Sequence, residues 1–347
     1  MLALLTEEQQ MLQEIATQLA TATGLTNPSD LEKVDRAKGW ASLADAGLLA
    51  LRARDADGTP GASGVEVMVV TEALGAALAP LPYVGSAVLA TELLALAGAP
   101  SAWIDELTSG ETRYALLLSS DLTHLATTDE LSSAVAWDAD GASYALALSG
   151  PAEAPQVVRV TLGESWKPLD AVDLTRVLLD TGDATTVEDA GTPLAPGQFD
   201  RWLALALTMV SADVVGAMRE GLTQVVEYTK QRYQYGVPVG SFQAVQHLCA
   251  EALVAVEGAD STVKYAAWAI DELEPAEALL AARTAKAYCG LTSRTVPETI
   301  MQVYGGIGQT WEHIAHFVNR RAMLDRQVFG DDDVQLSKIA DARLGGN

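Results

Sequence analysis

Apolar positions recur with a helical period over the first third of the chain. Thr6 and Gln9 have the spacing of a capping box, and behind them Met11, Ile15 and Leu19 fall four residues apart, as on one helix face. Gly39 to Leu48 reads as a second helix stopped at Gly47. Asp57 to Gly61 is loop. Val65 to Leu78 resumes a helix that Pro80 and Pro82 end, and Gly85 to Ala97 predicts another, closed by Gly98. Near residue 113 the texture changes. Tyr114–Leu118, Ala134–Trp137, Tyr144–Leu148, Val157–Val160 and Val177–Leu179 are short apolar runs separated by turn residues such as Asp140-Gly141 and Gly150-Pro151. That pattern predicts a small antiparallel β unit. Thr181 to Gly197, rich in Asp, Thr, Gly and Pro, reads as a connecting loop.

From Gln198 the helical period returns and persists. Leu207, Val210, Val214, Met218, Leu222 and Val225 form one apolar stripe. Phe242, Val245, Cys249, Leu253, Val256 and Val263 form a second. Pro275 suits the first turn of a third helix, where its missing N–H is not needed. Long continuous stripes predict a helical bundle. The pattern thus divides the chain into a helical part (1–112), a small β part (113–197) and a helical bundle (198–347).

Composition narrows the function classes. The chain has 347 residues, 49% of them hydrophobic, enough for a large core. It carries 22 basic against 46 acidic residues, a net charge of −24. Such a surface repels phosphate backbones and anionic membranes, which excludes nucleic-acid and membrane partners. Cys249 and Cys289 sit in helical segments and are expected to be buried small apolar residues, with no disulfide framework. His313 and His316 lie three apart with no further His or Cys nearby, so no metal site is expected. Met1 to Glu8 lacks a basic stretch, and no uninterrupted apolar run reaches the roughly 18 residues that span a bilayer, so a cytoplasmic protein is expected.

Two motifs carry chemistry. The first is Arg232-Tyr233-Gln234-Tyr235-Gly236, followed by Pro238 and closed by Phe242-Gln243. An Arg at a helix break can project its planar fork to a pyrophosphate and bind it through two parallel bonds. Tyr235 offers an aromatic face to a flat ring, and Gln243 offers an amide at the start of the next helix. The second is Gln302-Val303-Tyr304-Gly305-Gly306-Ile307-Gly308, between two helices. Its glycines let backbone approach a ligand and expose N–H groups. It is no Rossmann fingerprint, since no strand leads into it, and no P-loop. Taken alone, each motif also fits an ordinary interhelix turn.

Together, in this order and after this succession of elements, the two motifs resemble the acyl-CoA dehydrogenase family along essentially the whole chain. The resemblance implies an N-terminal helical domain, a β domain and a C-terminal four-helix bundle. In that family the matching Arg, Gln and Gln-x-x-Gly-Gly residues reach across a subunit interface to the pyrophosphate and adenosine half of a neighbour's FAD. It thereby nominates Arg232, Tyr235, Gln243, Gln302, Val303, Gly305 and Gly306 as cofactor-binding, Tyr235 standing where the family often has Phe.

The departures are as informative. Family members abstract the α-proton of an acyl thioester with a Glu while the flavin takes the β-hydride. At the usual Glu position this chain has Gly330, within Val328-Phe329-Gly330-Asp331-Asp332-Asp333, and at the alternative position it has Ala206 between Leu205 and Leu207. A general base must lie within hydrogen-bond reach of its proton, so no catalytic residue is assigned. The Thr-Glu-Pro and Trp-Ile-Thr-Asn-like segments that cradle the flavin ring are absent between Tyr114 and Asp180, and the β domain is reduced. The chain therefore resembles the short subunit of heteromeric α2β2 acyl-CoA dehydrogenases of steroid degradation, to which Glu72–Pro80 and Gly308-Gln-Thr-Trp-Glu-His313 are also similar. The resemblance implies FAD shared with a longer catalytic subunit and dehydrogenation of a bulky acyl-CoA. Two alternatives stay open: a homomeric enzyme with a displaced base, Asp331 or Asp332, and a non-redox scaffold or acyl-CoA-binding relative.

Overall fold

The computed structural model describes residues 4–55, 58–180, 182 and 186–345. Met1 to Ala3, Asp57 of the predicted loop, and residues 181 and 183–185 of the predicted connecting segment lie outside the described residues. The chain opens with α1 (Glu7–Thr23), α2 (Arg36–Asp45) and α3 (Gly64–Ala76). The Thr6–Gln9 capping box closes in both directions, at 3.1 and 3.2 Å. The period of α1 is as expected, but its buried face is not. Met11 and Ile15 are 56% and 48% exposed, and α1 packs through Ala16 and Ala20 instead. Small side chains there let α1 lie close to α3.

The segment predicted as one helix from Gly85 to Ala97 is a π-helix, Tyr83–Ala90, running into α4 (Thr91–Ala97) and then α5 (Ser101–Thr108). The π-helix is wholly buried, and its wide turn sets the Gly85 N–H 2.8 Å from the Asp138 carboxylate. Gly98 closes α4 in the left-handed conformation, φ +68°.

The sheet comprises β1 (Tyr114–Leu118), β2 (Val135–Trp137), β3 (Tyr144–Ser149), β4 (Gln156–Thr161), β5 (Lys167–Pro168), β6 (Leu179–Asp180) and β7 (Val187–Asp189). Their order is β5-β6-β2-β1-β3-β4-β7. The sheet is mixed rather than antiparallel, because β1 and β3 run parallel at its centre. β2 pairs one side of β1 and leaves β3 to cross to the other. Side-chain alternation splits the burial. Tyr114, Leu116 and Leu118 face the main core, while Ala115 and Leu117 join Ala136, Ala145 and Val158 in a smaller second core.

The remainder is α6 (Gln198–Gln231), a hairpin of β8 (Tyr233–Gln234) and β9 (Val237–Pro238), α7 (Gln243–Glu272), α8 (Pro275–Tyr304), α9 (Ala315–Gln327) and α10 (Asp332–Leu344). The predicted α6 stripe is buried throughout. By length and composition α6 could cross a membrane, yet 89% of its apolar window is buried inside the fold. The α7 stripe is only half covered: Val256 and Val263 are buried, but Phe242 and Leu253 are 38% and 50% exposed.

The N-terminal helices, sheet and bundle meet at a buried charged cluster. Arg321 on α9 pairs with Asp173 at 2.5 Å and with Asp213 on α6 at 2.8 Å. Arg176 pairs with Asp138 at 2.9 Å and with Asp213 at 3.1 Å, and donates to the Leu81 carbonyl at 3.0 Å. Phe329 inserts edge-on between Trp137 of β2 and Trp202 of α6, with ring centroids 6.0 and 5.8 Å apart. These contacts fill the junction.

Candidate functional site

Short connections make α6, α7 and α8 alternate in direction, which brings the ends of α6 and α8 and the start of α7 to one end of the bundle. Tyr228, in the last turn of α6, stacks obliquely on Tyr304, the last residue of α8, at 4.9 Å. That contact joins the two sequence motifs in space.

Arg232 is where α6 stops. Its N–H still donates to the Tyr228 carbonyl at 2.9 Å, but its own backbone is extended. Its carbonyl accepts from Val239 N–H at 2.7 Å, closing the hairpin. Tyr235 and Gly236 occupy the turn with φ of +52° and +82°, as a type I′ turn requires. Tyr235 is thereby thrust outward, 93% exposed, with only an edge-on contact to Phe242 at 6.3 Å. The exposed Arg232 guanidinium has no ion-pair or hydrogen-bond partner among the described residues. Gln243 opens α7, whose first-turn N–H groups add positive potential to the same end.

On α8, Gln302 is exposed and Val303 packs partly against the core. Gly305 ends the helix at φ +68°, ψ −144°, and a short 3₁₀ turn follows. A Cβ built at Gly305 or Gly306 would meet nothing within 4 Å. The backbone here faces open space. Gly308 differs, because a Cβ there would lie 2.7 Å from that of Tyr304.

The positions where the resemblance sets a carboxylate are occupied otherwise. Ala206 is fully buried between Leu205 and Leu207 in the core. Gly330 has φ +85°, and a Cβ there would fall 2.8 Å from Val334. Asp331 caps α10 by accepting from Val334 N–H at 3.1 Å, and pairs with Arg326 at 3.2 Å. Asp332 is buried against Arg326 at 2.5 Å. Neither aspartate is free to act as a base.

The cysteines divide. Cys289 is buried and its thiol is pushed up to about 12 by burial, whereas Cys249 is only half-buried, beside a cleft of about 470 Å³ between α6 and α7. The expectation of burial thus fails for Cys249.

One cluster was legible only as a motif without a role. Trp311 follows the glycine turn and is 62% exposed. His316 stacks on it at 4.9 Å and donates from Nε2 to the Trp311 carbonyl at 3.1 Å. Arg320 Nε donates to His316 Nδ1 at 3.2 Å. His313 packs on Tyr304 at 4.2 Å. Burial lowers both imidazoles from their ordinary value.

Comparison with known proteins bears on this arrangement. Residues 6–111 and 201–344 match the acyl-CoA dehydrogenase N-terminal and C-terminal domain families. Acyl-CoA dehydrogenase IpdE2 of Mycobacterium tuberculosis is 32% identical over 322 residues, which cover 91% of either chain. Acyl-CoA dehydrogenase FadE34 of the same organism is 38% identical over 160 residues, 45% of this chain but only 21% of that protein. Among solved structures, one chain of the ChsE4-ChsE5 complex from Mycobacterium tuberculosis aligns over its whole length and over all of this chain with a TM-score of 0.83 and 24% identity. The Tcur3481-Tcur3483 steroid ACAD aligns over 96% of this chain and 97% of its own with a TM-score of 0.82 and 24% identity. These two likenesses establish the fold.

Proposed function

Because the chain belongs to the acyl-CoA dehydrogenase family, we propose that it is a required but non-catalytic subunit of a heteromeric, FAD-dependent member. It would pair with a longer catalytic subunit in a cytoplasmic α2β2 assembly. The substrate class is a bulky acyl-CoA such as a shortened sterol side chain, in keeping with two solved neighbours that are named as pairs, one of them a steroid ACAD.

The observation that carries the reading is an asymmetry. Of the groups suited to the adenosine–pyrophosphate half of FAD, Arg232 is exposed with no ion-pair or hydrogen-bond partner among the described residues and Gly305-Gly306 borders open space, whereas both candidate base positions are closed. The open Gly305-Gly306 backbone, Arg232, Gln243 and Gln302 fit that half of the cofactor. Arg232 would neutralise the pyrophosphate through its fork, Gly305 and Gly306 would let the chain approach, and Tyr235 and Val303 would exclude water. When bound, FAD accepts the β-hydride of the thioester. The homomeric alternative loses ground because Asp331 and Asp332 are committed to a helix cap and to Arg326.

The test is flavin content and native mass of the chain alone and co-expressed with a longer homologue that carries the Glu. We expect a colourless chain alone and about one FAD per heterodimer in a tetramer. Full flavin occupancy with turnover in the lone chain would overturn the proposal. In the complex, Arg232→Ala should lower FAD affinity by about 1.5–3 kcal/mol, the worth of a charge-assisted contact, with assembly intact.

A further inference from the structure

We propose that the cleft between α7, α8 and the end of α10 binds a small zwitterion with an apolar body, such as an aromatic amino acid. The cleft measures about 630 Å³, within the range of about 300–1,000 Å³ that small-ligand sites occupy. It lies at the far end of the bundle from the two motifs, since Tyr265 stands about 33 Å along α7 from Gln243 at ~1.5 Å per residue. The proposed cofactor contacts therefore leave it untouched. Leu273, Leu280 and Ala281 give the cleft apolar surface, and the half-exposed Tyr265 gives it an aromatic ring. The α7–α8 corner that carries Leu273 is fixed, because Arg201 donates to the Ile270 carbonyl and, at 3.0 Å, to the Leu273 carbonyl. Two opposite charges line the same cleft, Glu277 in the first turn of α8 and Arg343 in the last turn of α10. They do not pair with each other, and neither has an ion pair or hydrogen bond among the described residues. The Tyr265 hydroxyl has no hydrogen-bond partner among them either.

The buried arginines of this chain are committed, Arg52 to Glu92 and Arg321 to Asp173 and Asp213. A guanidinium and a carboxylate that share a cleft without meeting present complementary charges to one guest. The planar fork of Arg343 suits a carboxylate, and Glu277 suits an ammonium. An ammonium over the Tyr265 ring gains a cation–π contact as well. The apolar surface of the same cleft rewards a side chain that leaves water. A guest with one charge satisfies one of the two groups and is repelled by the other. A zwitterion satisfies both, and its zero net charge avoids the repulsion that a chain of −24 imposes on an anion.

The test is isothermal calorimetry of the intact chain with three probes. These are L-phenylalanine, hydrocinnamate, which keeps the carboxylate alone, and phenethylamine, which keeps the ammonium alone. L-Phenylalanine should bind saturably, and each analogue about fivefold more weakly, the upper worth of one exposed ion pair. Glu277→Gln should bring L-phenylalanine down to the affinity of hydrocinnamate in the wild type. Arg343→Gln should bring it down to that of phenethylamine. Tyr265→Ala should weaken all three probes with unchanged circular dichroism. No saturable heat with L-phenylalanine would overturn the proposal. Equal affinity for L-phenylalanine and hydrocinnamate would make the cleft a plain anion site and overturn it too. Wild-type affinity in both Glu277→Gln and Arg343→Gln, with thermal stability lowered, would reduce the two groups to helix-end charges and have the same consequence.

Discussion

Gly305 and Gly306 are adjacent, yet they are glycines for different reasons. At φ +68° and ψ −144° Gly305 has a backbone that residues with a Cβ avoid. Gly305→Ala should therefore cost about 1–3 kcal/mol of stability, measured by thermal or urea unfolding. Gly306 has no positive φ, and a Cβ there would touch nothing. Gly306→Ala should leave unfolding within about 0.5 kcal/mol of wild type and act only on flavin retention in the complex. If both variants lose stability equally, the openness of Gly306 is not what it is kept for. Gly330 teaches the same lesson at the base position. With φ +85° and Val334 against its missing Cβ, Gly330→Glu should destabilise the chain rather than create a working base.

Among the elements, α7 shows what a sequence can and cannot say. Its stripe was plain from spacing alone, and so were the α6 stripe, the αL glycines that end α4 and precede the turn after α2, and the first-turn proline of α8. Periodicity reports that a face is apolar; it does not report what covers it. Hence Met11, Ile15, Phe242 and Leu253 fall on apolar stripes and yet stand exposed. The central parallel pairing of β1 and β3 escaped because it depends on which side of β1 is already taken. β5 and β7 escaped because exposed edge strands carry no apolar signature. At the candidate site the two motifs were legible as residues, but their meeting through Tyr228 and Tyr304 was not. Residues Gln243 to Glu251 of α7 include none that is buried. In the chain alone their amides should exchange faster than those from Val256 to Ile270, by hydrogen–deuterium exchange. Binding of a partner at this end should slow them. Equal protection along α7 in the free chain would show that the exposed half is held by the fold itself.

In the molecule as a whole, the three units are joined by charge as much as by apolar packing, and Asp213 is the hub. It accepts from both Arg176 and Arg321. Those two cations hold its carboxyl down to about 2 despite the burial that opposes them. Asp325 lies beside it, wholly buried, with neither oxygen receiving a hydrogen bond. Burial and the Asp213 charge push Asp325 well above the usual carboxylate range, which favours its protonated form. The two carboxyls therefore act on stability in opposite senses. Asp213 contributes stability above its unfolded value of about 3.9 that is lost as pH falls towards 2. Asp325 contributes stability below that unfolded value that is lost as pH rises through its raised folded value. Asp325→Asn keeps the shape and an N–H donor but cannot ionise. It should match wild type near pH 4 and become progressively more stable than wild type as pH rises towards 9, in paired urea unfolding curves. Parallel curves across that range would show that Asp325 is already ionised, or does not titrate there. Asp213→Asn should behave differently, costing about 3–5 kcal/mol across the range above pH 4, because it leaves two buried guanidinium groups short of their shared counter-charge. The contrast separates a proton stored at the junction of the three units from the ion pairs that hold them together.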